Sequence, residues 1–175
     1  MLIWEAARHH ARILRKVHPI GNRGLRDLTR LAEAYEARVF LVPLEPHLSG
    51  LVVKNQQEGA RIYISHTDSP VRQRFTLAHE IGHLVDRLEL ANDDEYSFVD
   101  HRQPGNYDLH EFFADEFAGE LLMPAEEMLK LREEKVPEAV VADKFGVSIP
   151  AVRKRYQRLD RSPHRDDYQV EAHVA

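Results

Sequence analysis

At 175 residues the chain is long enough to bury one substantial core with a small appendage, and no apolar run approaches the length that spans a bilayer. The formal net charge of −5 combines a basic surplus in residues 1–88 with a larger acidic one in residues 89–175, which argues against a dedicated nucleic-acid surface in either half. Without cysteine, a disulfide framework and thiolate metal ligands are both excluded, so any metal must be held by His, Asp or Glu.

The opening MLIWEAARHHARILRK spreads basic residues through an amphipathic pattern and lacks the basic start, apolar centre and small-residue cleavage site of a secretory signal, so an intracellular (cytoplasmic) protein is expected. Leu2 to Lys16 reads as a helix with Ile3, Ala7, Ile13, Leu14 and Val17 available to pack. His9 and His10 are adjacent, cannot share a helical face, and are expected at the surface. Pro19, Gly21, Asn22 and Gly24 break the chain. A second helix follows over Leu25 to Ala37, packing through Leu28, Leu31, Ala32 and Tyr35.

The period then changes. Arg38 to Val42, Gly50 to Val53 and Ala60 to Ile64 are short β-branched and aromatic runs separated by turn residues, which predicts a small three-stranded, mostly antiparallel sheet with its second and third strands in a hairpin. An exposed edge of such a sheet beside a reactive helix can hold an extended peptide through main-chain hydrogen bonds.

Ser69-Pro70 opens the next helix well, since serine suits the N-cap and proline the first helical position. That helix contains His79-Glu80-Ile81-Gly82-His83, an HExxH pattern. Histidines four residues apart lie one turn above the other on the same face, so both imidazoles reach one ion, and Glu80 follows at roughly 100° around the axis. The flanks are apolar on two sides: Val71, Phe75, Ala78, Gly82 and Val85 form one stripe, and Leu77, Ile81, Leu84 and Leu88 another. A surface helix with a polar i, i+4 face is the competing reading, but here the costliest groups to bury sit on a helix that belongs in a core. Glycine at position 82 is costly inside a helix, so another backbone or a bulky side chain is expected to approach there.

Glu89 to Tyr107 is acidic, aromatic and turn-rich, and is predicted to be a loop forming one wall of a cleft. Tyr96, His101, Tyr107 and His110 are candidate hydrogen-bond donors to an oxyanion, with nothing in the sequence to choose among them. Asp108 to Met123 reads as a helix with Phe113, Phe117 and Leu121 in the core. Glu111 and Asp115 share another face at i, i+4 spacing. Glu111 can complete a metal site with the histidine pair, and Asp115 can accept the other ring N–H of a ligand histidine. Alternatively Asp108 and Glu111 make a capping box, and His110 is a rival third ligand roughly 100° from the Asp115 face.

Pro124 ends that helix, and Ala125 to Glu134 forms a charged one. Glu138 to Phe145, a Gly146-Val147-Ser148 turn and Ile149 to Leu159 then read as a helix-turn-helix-like pair. Arg153, Lys154, Arg155 and Arg158 make its second helix basic. Val147, Ile149, Val152 and Tyr156 suggest that it also packs on the domain, so DNA binding is not expected. Residues 161–175, with His164 and His173, read as a loose polar tail.

Three blocks, RQRFTLAHEIGHL (72–84), EFFADEFAGELLMP (111–124) and KFGVSIPAVRKRYQRL (144–159), with ARIYIS just upstream of the first, resemble the ImmA/IrrE-type metallopeptidases over about residues 25 to 160. The resemblance implies an α+β, mostly helical zincin-like fold. It also implies one Zn2+ held by His79, His83 and Glu111, with Glu80 as the acid/base. Asp115 stands where many members have Asn. The organisation expected is an N-terminal helix and turn (1–24), a metallopeptidase core (25–124), a C-terminal helical part packed on it (125–160) and the tail (161–175). Members typically cut a helix-turn-helix transcriptional repressor, which derepresses phage, mobile-element, toxin-antitoxin or stress genes. The alternative is a regulatory or toxin-antitoxin component that binds a repressor or DNA without cutting.

Overall fold

The computed structural model describes residues 2–91, 96–101 and 108–162. Two helices come first, α1 (Ile3–Val17) and α2 (Arg26–Ala34), then three strands, β1 (Ala37–Val42), β2 (Leu48–Asn55) and β3 (Gly59–Ser65). Helix α3 (Pro70–Val85) runs on into a π-helical turn at Asp86–Ala91, and strand β4 (Tyr96–His101) follows. Four helices close the chain: α4 (Leu109–Leu122), α5 (Ala125–Glu133), α6 (Glu138–Phe145) and α7 (Ile149–Arg161). The fold is α+β and mostly helical, as the sequence predicts. None of the helices among the described residues is long and apolar enough to cross a membrane.

The three predicted strands form, and the sheet is mixed. Its order is β1-β3-β2-β4, with β1 parallel to β3 and the other two pairings antiparallel. The β2–β3 hairpin is set by Asn55, whose side-chain oxygen accepts the N–H groups of Gln57 and Glu58, and by Gly59 in the left-handed region (φ 72°). The stretch expected to be all loop supplies β4, which pairs along β2 from Leu48↔His101 to Lys54↔Tyr96. Its alternating YSFVDH is a strand signal that the surrounding acidic and turn residues obscure.

Val52, Ile62 and Ile64 of the sheet are fully buried, and α3 packs against the strands with Leu77, Ala78, Ile81, Leu84 and Val85 all buried. On another side α3 meets α4, and here Gly82 has its reason. A Cβ at position 82 would lie 2.8 Å from the Ala114 Cα and 3.1 Å from the Ala114 carbonyl oxygen, so only glycine lets the two backbones approach this closely.

Helix α1 lies along α4, and of its expected packing residues Ala7 is buried and Ile3 and Leu14 pack against the core. Ala6, Ala7, Arg8 and Ala11 are buried, whereas Ile13 and Val17 are exposed. A stripe of alanines lets α1 approach closely, and Arg8 is buried because its charge is matched, as described below. His9 and His10 are half-buried, with their rings edge-to-face. At the other end of the chain, Gly146 (φ 63°) ends α6 in the left-handed conformation, and the Ser148 hydroxyl caps α7. The predicted tail falls outside the described residues from position 163 onward, His164 and His173 included.

Candidate metal centre

Four functional side chains come from two helices that Gly82 holds together. Helix α3 presents His79, Glu80 and His83, with 4%, 0% and 1% of their surfaces exposed. From α4 comes Glu111. The Asp108 carboxylate caps α4 by accepting the N–H groups of His110 (2.9 Å) and Glu111 (3.0 Å). The cap therefore exists, but Glu111 does not close a box. Its side chain turns inward, with Oε2 3.3 Å from His79 Nε2 and Oε1 3.3 Å from His83 Nε2. The two Nε2 atoms are themselves 3.1 Å apart.

These spacings fit a metal ion. An ion bound tetrahedrally at ~2.05 Å separates its ligand atoms by ~3.3 Å, and the two imidazole nitrogens, 3.1 Å apart, each stand 3.3 Å from one oxygen of the Glu111 carboxylate. Two imidazoles and a carboxylate form a donor set suited to a divalent transition-metal ion. His79, His83 and Glu111 are the one such group able to hold a metal ion among the described residues.

The electrostatics agree. Burial resists protonation of His79, but hydrogen bonds to Asp115 and Glu111 and the charge of Glu80 prevail and raise its pKa well above the ordinary value. Burial and the neighbouring His79 lower His83 to about 4. Burial would raise Glu111, yet the bonds from the two imidazoles bring it down to about 2.

Asp115 lies one turn beyond Glu111 with its Oδ1 3.2 Å from His79 Nδ1. An N–H donated there leaves the Nε2 lone pair facing Glu111 and His83, which is the tautomer a ligand needs. The rival ligand, His110, is directed elsewhere: its Nδ1 lies 2.6 Å from Asp86 Oδ2, and it does not join the histidine pair. Asp86 is buried, three residues beyond His83, and its charge reaches His83. Sequence reasoning missed this pair, although position 86 lies on the same helical face as His83. Of the other proposed oxyanion donors, Tyr107 lies outside the described residues, and Tyr96 and His101 lie in β4, whose side chains are not described.

Glu80 faces the sheet. A Cβ on Gly50 of β2 would stand 3.0 Å from Glu80 Oε1 and 2.5 Å from Thr76 Cγ2, so β2 passes directly over this carboxylate.

Lys154, Arg155 and Arg158 of α7 face α4. Lys154 Nζ and Arg158 Nη2 lie 2.7 and 2.8 Å from Asp115 Oδ2, and Arg158 Nη1 lies 2.9 Å from Glu116 Oε1. Arg155, fully buried, pairs with Glu116 and Glu120 and donates to the Met123 carbonyl. Arg153 is engaged on the surface by Glu138. Arg8 of α1 completes the cluster, with Nε 2.8 Å from Glu116 Oε2 and Nη1 2.7 Å from the Ser162 carbonyl.

A family model described as Peptidase M78, IrrE N-terminal-like domain, matches residues 32–157. The chain belongs to this family. The M78 match contains the HExxH segment, Glu111 and Asp115 and leaves out α1, although Arg8 reaches the residue next to Asp115. No curated protein matches the chain. Nine chains of solved structures match. One is a Mycobacterium tuberculosis transcriptional regulator, with a TM-score of 0.68 and 19% identity over 92% of this chain and 49% of that one. At that identity the likeness is one of fold, and this M78 chain spans about half the length of that regulator.

Proposed function

We propose that the protein is a zinc-dependent endopeptidase that acts inside the cell on a helix-turn-helix transcriptional repressor or an antitoxin-like partner. The observation that carries the reading is the convergence of His79 Nε2, His83 Nε2 and the Glu111 carboxylate at tetrahedral spacing. Bound there, one zinc ion supplies Lewis acidity, bringing the pKa of water toward 7 and polarising a peptide carbonyl.

The chain's own residues supply the rest. Glu80 takes the proton of the attacking water and delivers it to the departing amide nitrogen. Asp115 keeps His79 in the tautomer that offers Nε2. His110 donates from its far nitrogen to the developing oxyanion, with Asp86 fixing its ring. An extended peptide pairs on the β4 side of the sheet, because β2, the neighbour of β4, is the strand that passes over Glu80. The α6–α7 pair belongs to the body of the peptidase: four of the five basic residues of α7, Arg153, Lys154, Arg155 and Arg158, are engaged by Asp115, Glu116, Glu120 and Glu138, an arrangement that disfavours contact with DNA phosphates. The repressor class of substrate is proposed on the resemblance to the ImmA/IrrE-type metallopeptidases.

The test is to measure bound zinc in the purified protein and to incubate it with purified helix-turn-helix repressors from the same genome. Wild type is expected to cut one of them at a defined bond, and Glu80→Gln to keep its zinc and lose about 10² to 10⁴-fold in rate. Full cleavage by Glu80→Gln overturns the mechanism. Stoichiometric binding that leaves the repressor intact transfers the reading to a regulator that sequesters without cutting.

A further inference from the structure

We infer that Lys154 and Arg158 of the last helix are positioning residues of the metal centre, acting on His79 through Asp115. The inference rests on the peptidase reading for the metal and goes beyond it by making α7 part of the site.

Asp115 is a buried carboxylate whose two oxygens have separate tasks. Its Oδ1 faces His79 Nδ1 at 3.2 Å, and its Oδ2 takes both Lys154 Nζ at 2.7 Å and Arg158 Nη2 at 2.8 Å. A carboxylate with one partner can rotate about its last bond and exchange its oxygens. With two cations on Oδ2 it cannot, and Oδ1 stays aimed at the imidazole. Arg158 is itself fixed: Nη1 lies 2.9 Å from Glu116 Oε1, and the guanidinium sits 5.1 Å from the centre of the Phe112 ring. Glu116 is held in turn by Arg8 and Arg155. An unbroken chain of contacts thus runs from α1 and α7, through one carboxylate, to the ring that would ligate the metal.

The sign of the effect separates positioning from simple electrostatics. Two positive charges beside the site repel a dication, so if they acted by charge alone, removing them would tighten zinc binding. If they act by aiming Asp115, removing them frees the carboxylate, loosens the His79 ring and weakens zinc binding.

The experiment uses the full chain and the metal alone. Zinc affinity is measured by competition with a chromophoric chelator, and the ligand field by the visible spectrum of the cobalt(II)-substituted protein. The variants are Lys154→Gln, Arg158→Gln, the double Gln variant and Arg158→Lys, with Arg153→Gln as control because Arg153 pairs with Glu138. The double variant is expected to bind zinc about tenfold more weakly, the lower end of the range for partners of metal ligands, and to shift the cobalt bands. Arg158→Lys is expected to recover most of the affinity lost in Arg158→Gln, and Arg153→Gln to match wild type. Wild-type affinity with an unchanged cobalt spectrum in the double variant, or tighter binding, overturns the inference while leaving the peptidase reading intact. A wild-type protein that binds no zinc overturns both. Should the double variant fail to fold, Lys154→Gln decides: its lysine is 54% exposed, and about threefold weaker binding is expected where wild-type affinity would refute.

Discussion

His79 and Asp115 face each other across the α3–α4 interface, Nδ1 to Oδ1 at 3.2 Å, and in the proposed metal centre that carboxylate would set the tautomer of the ligating ring. Replacing Asp115 with Ala is therefore expected to weaken zinc binding about 10- to 100-fold. Asp115→Asn, whose carbonyl oxygen still accepts the ring N–H, should lose much less. Chelator competition on the two purified variants checks this, and equal losses would mean that charge rather than the hydrogen bond matters.

His110 is held by Asp86 at 2.6 Å and lies outside the ligand group. His110→Ala should leave zinc affinity unchanged and lower kcat against the repressor about 10²-fold, the lower end of the range for an oxyanion donor. Asp86→Asn should fall between the two. If His110→Ala loses zinc instead, the ring is a ligand and the assignment of Glu111 is wrong.

Gly82→Ala sets two effects against each other. Alanine improves helix propensity by about 1 kcal/mol. Its Cβ would stand 2.8 Å from the Ala114 Cα, however, and backbone on both sides has little room to yield. Overpacking of this kind costs about 1–3 kcal/mol, so net destabilisation is expected, together with weaker zinc binding as α4 carries Glu111 outward. Urea unfolding with and without zinc measures both.

The metal-free protein should lose stability at alkaline pH, and the zinc-loaded protein should not. His79 has a raised pKa in the fold, so its contribution is full below the ordinary 6.5 and declines as pH climbs through the raised value. His83 is lowered to about 4, so the fold loses stability as pH falls from 6.5 toward 4. Metal-free protein should thus be most stable near the ordinary histidine value. Zinc displaces the His79 proton and should remove the alkaline decline, so the Tm gain from zinc should be larger at about pH 8 than at about pH 6. Thermal melts in chelator and in zinc at the two pH values test this, and a smaller gain at the higher pH would contradict it.

The centre was legible in the sequence because its chemistry is local. His79 and His83 are bound to share a face by their spacing, and an interior glycine at position 82 had to have a neighbour. Glu111 came from a second helix, and its alternative as a capping residue was settled only by side-chain direction. What stayed hidden depended on pairing between distant segments. Periodicity treats charge as a mark of the surface, yet Arg8, Glu116, Glu120 and Arg155 are all at most 2% exposed. Each is tolerable there only because the others are present. On α1 the expected Ile3, Ala7 and Leu14 do pack and Arg8 takes a buried place beside them, while Ile13 and Val17 are exposed. Strand β4 was lost among acidic and turn residues, since its order comes from pairing with β2 and not from its own surroundings.

Arg8 grips both Glu116 and the Ser162 carbonyl, so the first helix and the end of the last are fastened at one point. The evolutionary outline, residues 32–157, is consequently narrower than the physical unit. A chain trimmed to that outline would lose Arg8 and Arg158 together, stranding Glu116 with Arg155 as its remaining counter-ion among those seen here, one position along the backbone from the carboxylate that orients His79.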